Sequence, residues 1–147
     1  MQDATHPQEK VPKARAAGAG DNFSRDRDKE KASAPVAPVL EKMHQFVLWL
    51  IPAVDKFPRA QKFLLGDRLQ STALDIMERL IEAAYRRDKG AVLEQANLGL
   101  EKLRFLFRLA LDLRYLDLRR YEFAARAVNE IGRMVGGWRK ASRATQA

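Results

Sequence analysis

The chain contains no cysteine and only two histidines, His6 and His44. Without cysteine there is no thiol nucleophile, no thiolate metal site and no need for an oxidising compartment. Two histidines far apart in the sequence give no metal-binding spacing and no base for a nucleophile dyad. A phosphate-cradling GxxxxGK loop is also missing, and "VGGW", residues 135–138, has neither the preceding strand nor the lysine of one. Long apolar runs are absent as well. The most apolar stretch, "FVLWLIPAV", covers residues 46–54, roughly half of the ~20 residues that span a bilayer. The start, "MQDATHPQEK", has no apolar core of a secretory signal. These absences predict a cytoplasmic protein with no catalytic residues, no metal, no cofactor and no membrane partner.

What the chain does have is positive charge. Its 147 residues carry 27 Lys and Arg against 19 Asp and Glu, a net charge of +8, with a pI near 10.0. Anionic partners follow, nucleic acid first among them. The excess is uneven. Residues 1–35 hold seven basic and six acidic side chains, whereas from Lys102 onward the count is 11 basic to 4 acidic.

Residues 1–37 contain "ARAAGAGD", the mixed-charge run "RDRDKEK" and "ASAPVAP", with Phe23 the only aromatic. Such a stretch buries too little apolar surface to offset the entropy of ordering it, and is predicted to be a disordered tail. Residues 38–147 are read as one domain.

From Pro38 on, apolar residues recur at helical spacing. The first predicted helix spans Val39 to Lys56, with Leu40, Met43, Val47, Leu50 and Val54 on one face and Pro52 kinking its last turn. Phe57-Pro58 ends it. The second runs from Pro58 to Asp88 on a ladder that includes Ala60, Phe63, Leu64, Leu69, Ala73, Leu74, Met77, Leu80, Ile81 and Ala84. "RRDKG" breaks it, with Gly90 expected in a left-handed turn. A third helix spans Ala91 to Leu113. Asp117 is the expected N-cap of a fourth, Leu118 to Ala141, with Leu116 and Tyr121 placed as a hydrophobic staple. Four helices with short connections predict an all-α, up-down-up-down four-helix bundle.

The stretch "EKLRFLFRLALDLRYLDLRR", residues 101–120, combines five arginines with leucine and phenylalanine. At 100° per residue its apolar side chains, with those just upstream, sweep an arc of about 240°, and one bundle core needs roughly half of that. The surplus predicts a homo-oligomer or a protein partner, with Phe105, Leu109, Leu113, Met134 and Trp138 as interface residues. On the remaining strip, Glu101 with Arg104 and Arg108 with Asp112 are spaced for ordinary helix-surface pairs. Along the fourth helix, Arg119, Arg126, Arg133 and Lys140 recur every seven residues, which stacks them into one stripe. Only Glu122 and Glu130 are near enough in sequence to neutralise it. With Arg139, Arg104 and Arg108 these residues are the candidate nucleic-acid contacts; a merely solvated helix face is the competing reading. "EIGRMVGGW", residues 130–138, adds three helix-interior glycines, each costing about 1 kcal/mol against alanine. Gly132 and Gly136 are expected to admit another backbone, and Trp138 to be buried.

"KFPRAQKFLLGDRL", "LEKLRFLFRLALDL" and "YEFAARAVNEIGRMVGGWRK", in this order and spacing, resemble the accessory variability determinant (Avd) proteins of diversity-generating retroelements, a four-helix-bundle family related to proteins encoded in intervening sequences of ribosomal RNA. The resemblance covers Val39 to Lys140. It implies a homopentameric barrel with a positively charged surface and no catalytic activity. It further implies association with the retroelement's reverse transcriptase and with template-repeat RNA or cDNA, in support of mutagenic cDNA synthesis. The alternatives are a ribosomal-RNA-binding bundle of the same fold and a pure protein adaptor of the polymerase.

Overall fold

The computed structural model describes residues 36–146. The predicted tail lies outside the described residues except for Val36 and Ala37, which already belong to the first helix. That helix, α1, spans Val36–Asp55. α2 spans Asp67–Tyr85 and is preceded without a break by the short turn Arg59–Gln61 and a π-helical turn, Lys62–Gly66. α3 spans Gly90–Asp112, and α4 spans Leu118–Gln146. Among the described residues there is no strand.

Each helix packs on its two neighbours around a square. α2 lies between α1 and α3, and α4 lies between α3 and α1. The core runs down the middle: Met43, Leu50, Leu69, Ile76, Leu80, Leu93, Leu100, Leu103, Phe107 and Ile131 are all but sealed from water. Among the described residues no polar or charged side chain is buried. Phe46 and Phe107 bridge the centre edge to face, with ring centroids 6.0 Å apart, and Trp49 meets Phe123 of α4 at 4.8 Å.

Several expectations change in detail. Gly90 takes no left-handed conformation and simply opens α3. α2 is instead closed by Lys89, whose ammonium donates to the carbonyls of Ala83, at 2.6 Å, and Arg86, and sits 5.8 Å from the centre of the Trp138 ring. A cation on the last carbonyls of a helix suits their partial negative charge.

The left-handed residue is Arg114, with φ 63°. Its N–H donates to the Leu111 carbonyl and that of Tyr115 to the Ala110 carbonyl, both at 2.9 Å. This pattern closes α3 with a motif that usually employs glycine. Arg114→Gly therefore raises stability by about 1 kcal/mol, read as a higher denaturant midpoint with an unchanged slope. The expected Asp117 cap is present: its carboxylate accepts the Arg120 N–H at 2.8 Å.

The close helix approaches are at glycines other than those expected. A Cβ on Gly99 of α3 would fall 2.5 Å from Ile76 Cγ1, and one on Gly66 would fall 2.6 Å from Val54 Cγ1. These two contacts set how tightly α3 and α1 seat against the second helix. At Gly136 and Gly137 an added Cβ would meet nothing within 4 Å, and at Gly132 only the Arg104 guanidinium. Among the described residues no other backbone closes on these three glycines.

On the second helix the expected ladder is rotated. Leu65, Gly66, Leu69, Ala73, Ile76, Leu80 and Ala83 are buried, whereas Ala60, Phe63, Leu64, Leu74 and Ile81 are exposed. The π-helical turn at Lys62–Gly66 interrupts the α-helical step, and Phe63 and Leu64 fall outside the buried stripe that Leu65 and Leu69 begin.

Candidate nucleic-acid interface

α4 buries Ala124, Ala127, Val128, Ile131, Val135 and Trp138, a period that leaves the opposite side of the helix to water. On that side stand Arg119, Arg126, Arg133 and Lys140, all exposed. Seven residues advance an α-helix by about 10.5 Å, so the four cations mark a stripe about 32 Å long.

Of the two acids near the stripe, one is occupied elsewhere. Glu130 pairs with Lys42 of α1 at 2.9 Å, so it anchors α1 to α4 rather than neutralising Arg133. Glu122 reaches Arg126 at 3.7 Å, but the Arg126 side chain remains 81% exposed. A pair so open to solvent is worth less than 1 kcal/mol. Among the described residues no carboxylate comes within ion-pair distance of Arg119, Arg133 or Lys140. The glycines add to the accessibility of this face. Gly136 and Gly137 sit exposed between Arg133 and Lys140 and leave the helix bare there.

The other candidate cations divide. Arg104 is bound to its own chain: it pairs with Glu101 and donates from Nε to Asn129 Oδ1 at 3.1 Å, fastening α3 to α4. The expected Arg108–Asp112 pair is not formed, and Arg108 is exposed beside the α3–α4 seam. Arg139 is half-buried on the α3 side of the stripe.

The proposed interface residues also divide. Phe105 is 68% exposed, and Leu109 and Leu113 are close to half exposed. They share with Leu98 a row on the α2 side of α3. At Phe105 the row borders a groove of about 560 Å³ between α2 and α3, lined also by Arg68, Ser71, Thr72, Asp75, Lys102 and Leu106. Trp138, at 4% exposure, is buried within its own chain and contributes nothing to the surface, while Met134 is half-buried. The apolar row and the basic stripe thus lie on different faces of the bundle, the row towards α2 and the stripe on the outer side of α4.

A family model described as bAvd-like matches residues 39–142. The chain belongs to the bAvd-like family. The match takes in all of the stripe and the apolar row, and it ends four residues before α4 does. No curated protein matches the chain.

No group of three or more metal-ligating side chains stands together among the described residues. No described helix is long and apolar enough to cross a membrane. The described residues offer a row of four accessible cations on one helix, three of them without a carboxylate partner, which suits a phosphate backbone through charge and makes no base contact by itself. The seven-residue spacing does place the four cations on one exposed face. It missed Lys42, which removes Glu130 from the stripe, because a pairing between helices 88 positions apart leaves no trace in local spacing.

Proposed function

We propose that the chain is the non-catalytic accessory protein of a diversity-generating retroelement. As a homo-oligomer, a pentamer by family resemblance, it binds the element's reverse transcriptase and its template-repeat RNA or cDNA. It thereby supports mutagenic cDNA synthesis, or mutagenic retrohoming, in the cytoplasm. The observation that carries the nucleic-acid part is the α4 stripe, where three of four cations have no carboxylate partner among the described residues. Repeated by symmetry, such stripes sum to a strongly positive surface. The apolar row with Phe105 supports self-association, since monomers seldom leave a row of this kind in water.

Light scattering tests the reading at about 0.15 M salt, where weak screened contacts fall away. The expected result is a pentamer mass that increases when the reverse transcriptase is added, and again with template RNA. A monomer that shifts with neither would overturn it.

A further inference from the structure

Where α1 turns into the second helix, two of the most exposed large apolar side chains stand side by side: Phe63 is 72% exposed and Leu64 71%. They sit on the π-helical turn Lys62–Gly66. Turns of this kind are rare and concentrate at functional sites.

The turn is firmly held. Leu65 and Gly66 are buried, and Gly66 lies so close to Val54 that no side chain would fit between them. Phe57, at the same bend, is buried with its ring 6.1 Å from that of Tyr115 in the α3–α4 connection. Exposure of the pair is therefore a fixed feature of the fold and not the result of a loose loop.

Cations flank the pair. Lys56, Arg59 and Arg68 are exposed, and none has a carboxylate within ion-pair distance among the described residues. Lys62 alone is paired, with Asp55 at 3.7 Å. An apolar projection flanked by unpaired cations, Arg59 one turn before Phe63 and Arg68 one turn after Leu64, is one half of a protein interface. The matching half is an apolar pocket bordered by carboxylates.

We propose that Phe63 and Leu64 form the docking knob through which this chain seizes its protein partner, with Lys56, Arg59 and Arg68 meeting carboxylates on the pocket rim. An anionic bilayer is a poorer occupant, because the exposed Asp55 and Asp67 beside the knob would face its headgroups. RNA is poorer too, since Leu64 offers no ring on which a base could stack. The proposal deepens the accessory reading above and rests on it.

The test uses the full chain carrying Phe63→Ser and Leu64→Ser, titrated separately against the reverse transcriptase of the same retroelement, its template RNA, and mixed phosphatidylcholine and phosphatidylserine vesicles. Both side chains are exposed in the single chain, so its fold is retained, and light scattering checks the oligomer: a smaller mass in the variant would assign the pair to a contact between copies and overturn the docking site. Affinity for the polymerase falls at least about tenfold, while template-RNA binding is unchanged. A second variant, Arg59→Glu with Arg68→Glu, also weakens polymerase binding, most at low salt. Wild-type affinity for the polymerase in both variants would overturn the docking site alone. So would a loss confined to RNA or to vesicles. A wild-type chain that ignores the polymerase would bring down the accessory reading, and this site with it.

Discussion

Reversing two charges on α4, Arg126→Glu with Arg133→Glu, lowers affinity for template RNA on the order of a hundredfold and flattens its salt dependence by about two phosphate contacts. Both side chains are exposed, and among the described residues the only ion pair lost is the 3.7 Å one between Arg126 and Glu122. The Lys42–Glu130 anchor remains. The melting temperature and the oligomer mass should therefore stay close to wild type, which separates lost contact from lost fold. Filter binding at several salt concentrations reads both slope and affinity. Unchanged RNA binding would remove α4 as the nucleic-acid surface and favour the pure adaptor. A companion change at Arg104 is a poor test, because that guanidinium already holds α3 to α4 through Glu101 and Asn129.

Phe107→Ala costs about 3–5 kcal/mol, a large part of the roughly 5–15 kcal/mol that holds a domain of this size together. Phe107 is 2% exposed and meets Phe46 edge to face at the centre of the bundle, so its removal leaves a cavity lined by all-apolar neighbours. Thermal unfolding should fall on the order of 15 °C. Phe105, two residues away on the same helix, behaves in the opposite way. Its ring is mostly in water within the single chain, so Phe105→Ala leaves the unfolding of an isolated subunit within about 0.5 kcal/mol of wild type. The same change shifts the oligomer towards smaller species in light scattering. Equal losses of stability from the two changes would show that the burial pattern of α3 is wrong.

That contrast marks how far periodicity reaches. The apolar arc of the third helix is too wide for one core, and Phe105, Leu109 and Leu113 are left exposed by it. The arc could not say which edge of it faced the core centre. On the second helix the same ambiguity placed Phe63 and Leu64 in the core ladder, because an apolar count with generous spacing matches several rotations of one helix. Trp138 shows the limit from the other side. Its size and position promised burial, which the fold provides within the chain, so it was lost as an interface residue. The glycines of the fourth helix explain little of the internal packing; Gly66 and Gly99, which do, stand in stretches with no sequence cue to the residue facing them.

The sequence alone determined the helices, their order and the Asp117 cap, since these depend on spacing within one segment and on a side chain reaching its own backbone. It also determined the stripe, because a seven-residue step repeats on one helix face whatever surrounds it. Only the tertiary structure decided which cations are free and which are committed. Lys42 draws Glu130 away, Arg104 is bound across the α3–α4 seam, and Arg119, Arg133 and Lys140 are left to the solvent. The physical reason is that an ion pair forms across whatever short distance the fold creates, and between helices that distance is set by core packing rather than by position along the chain.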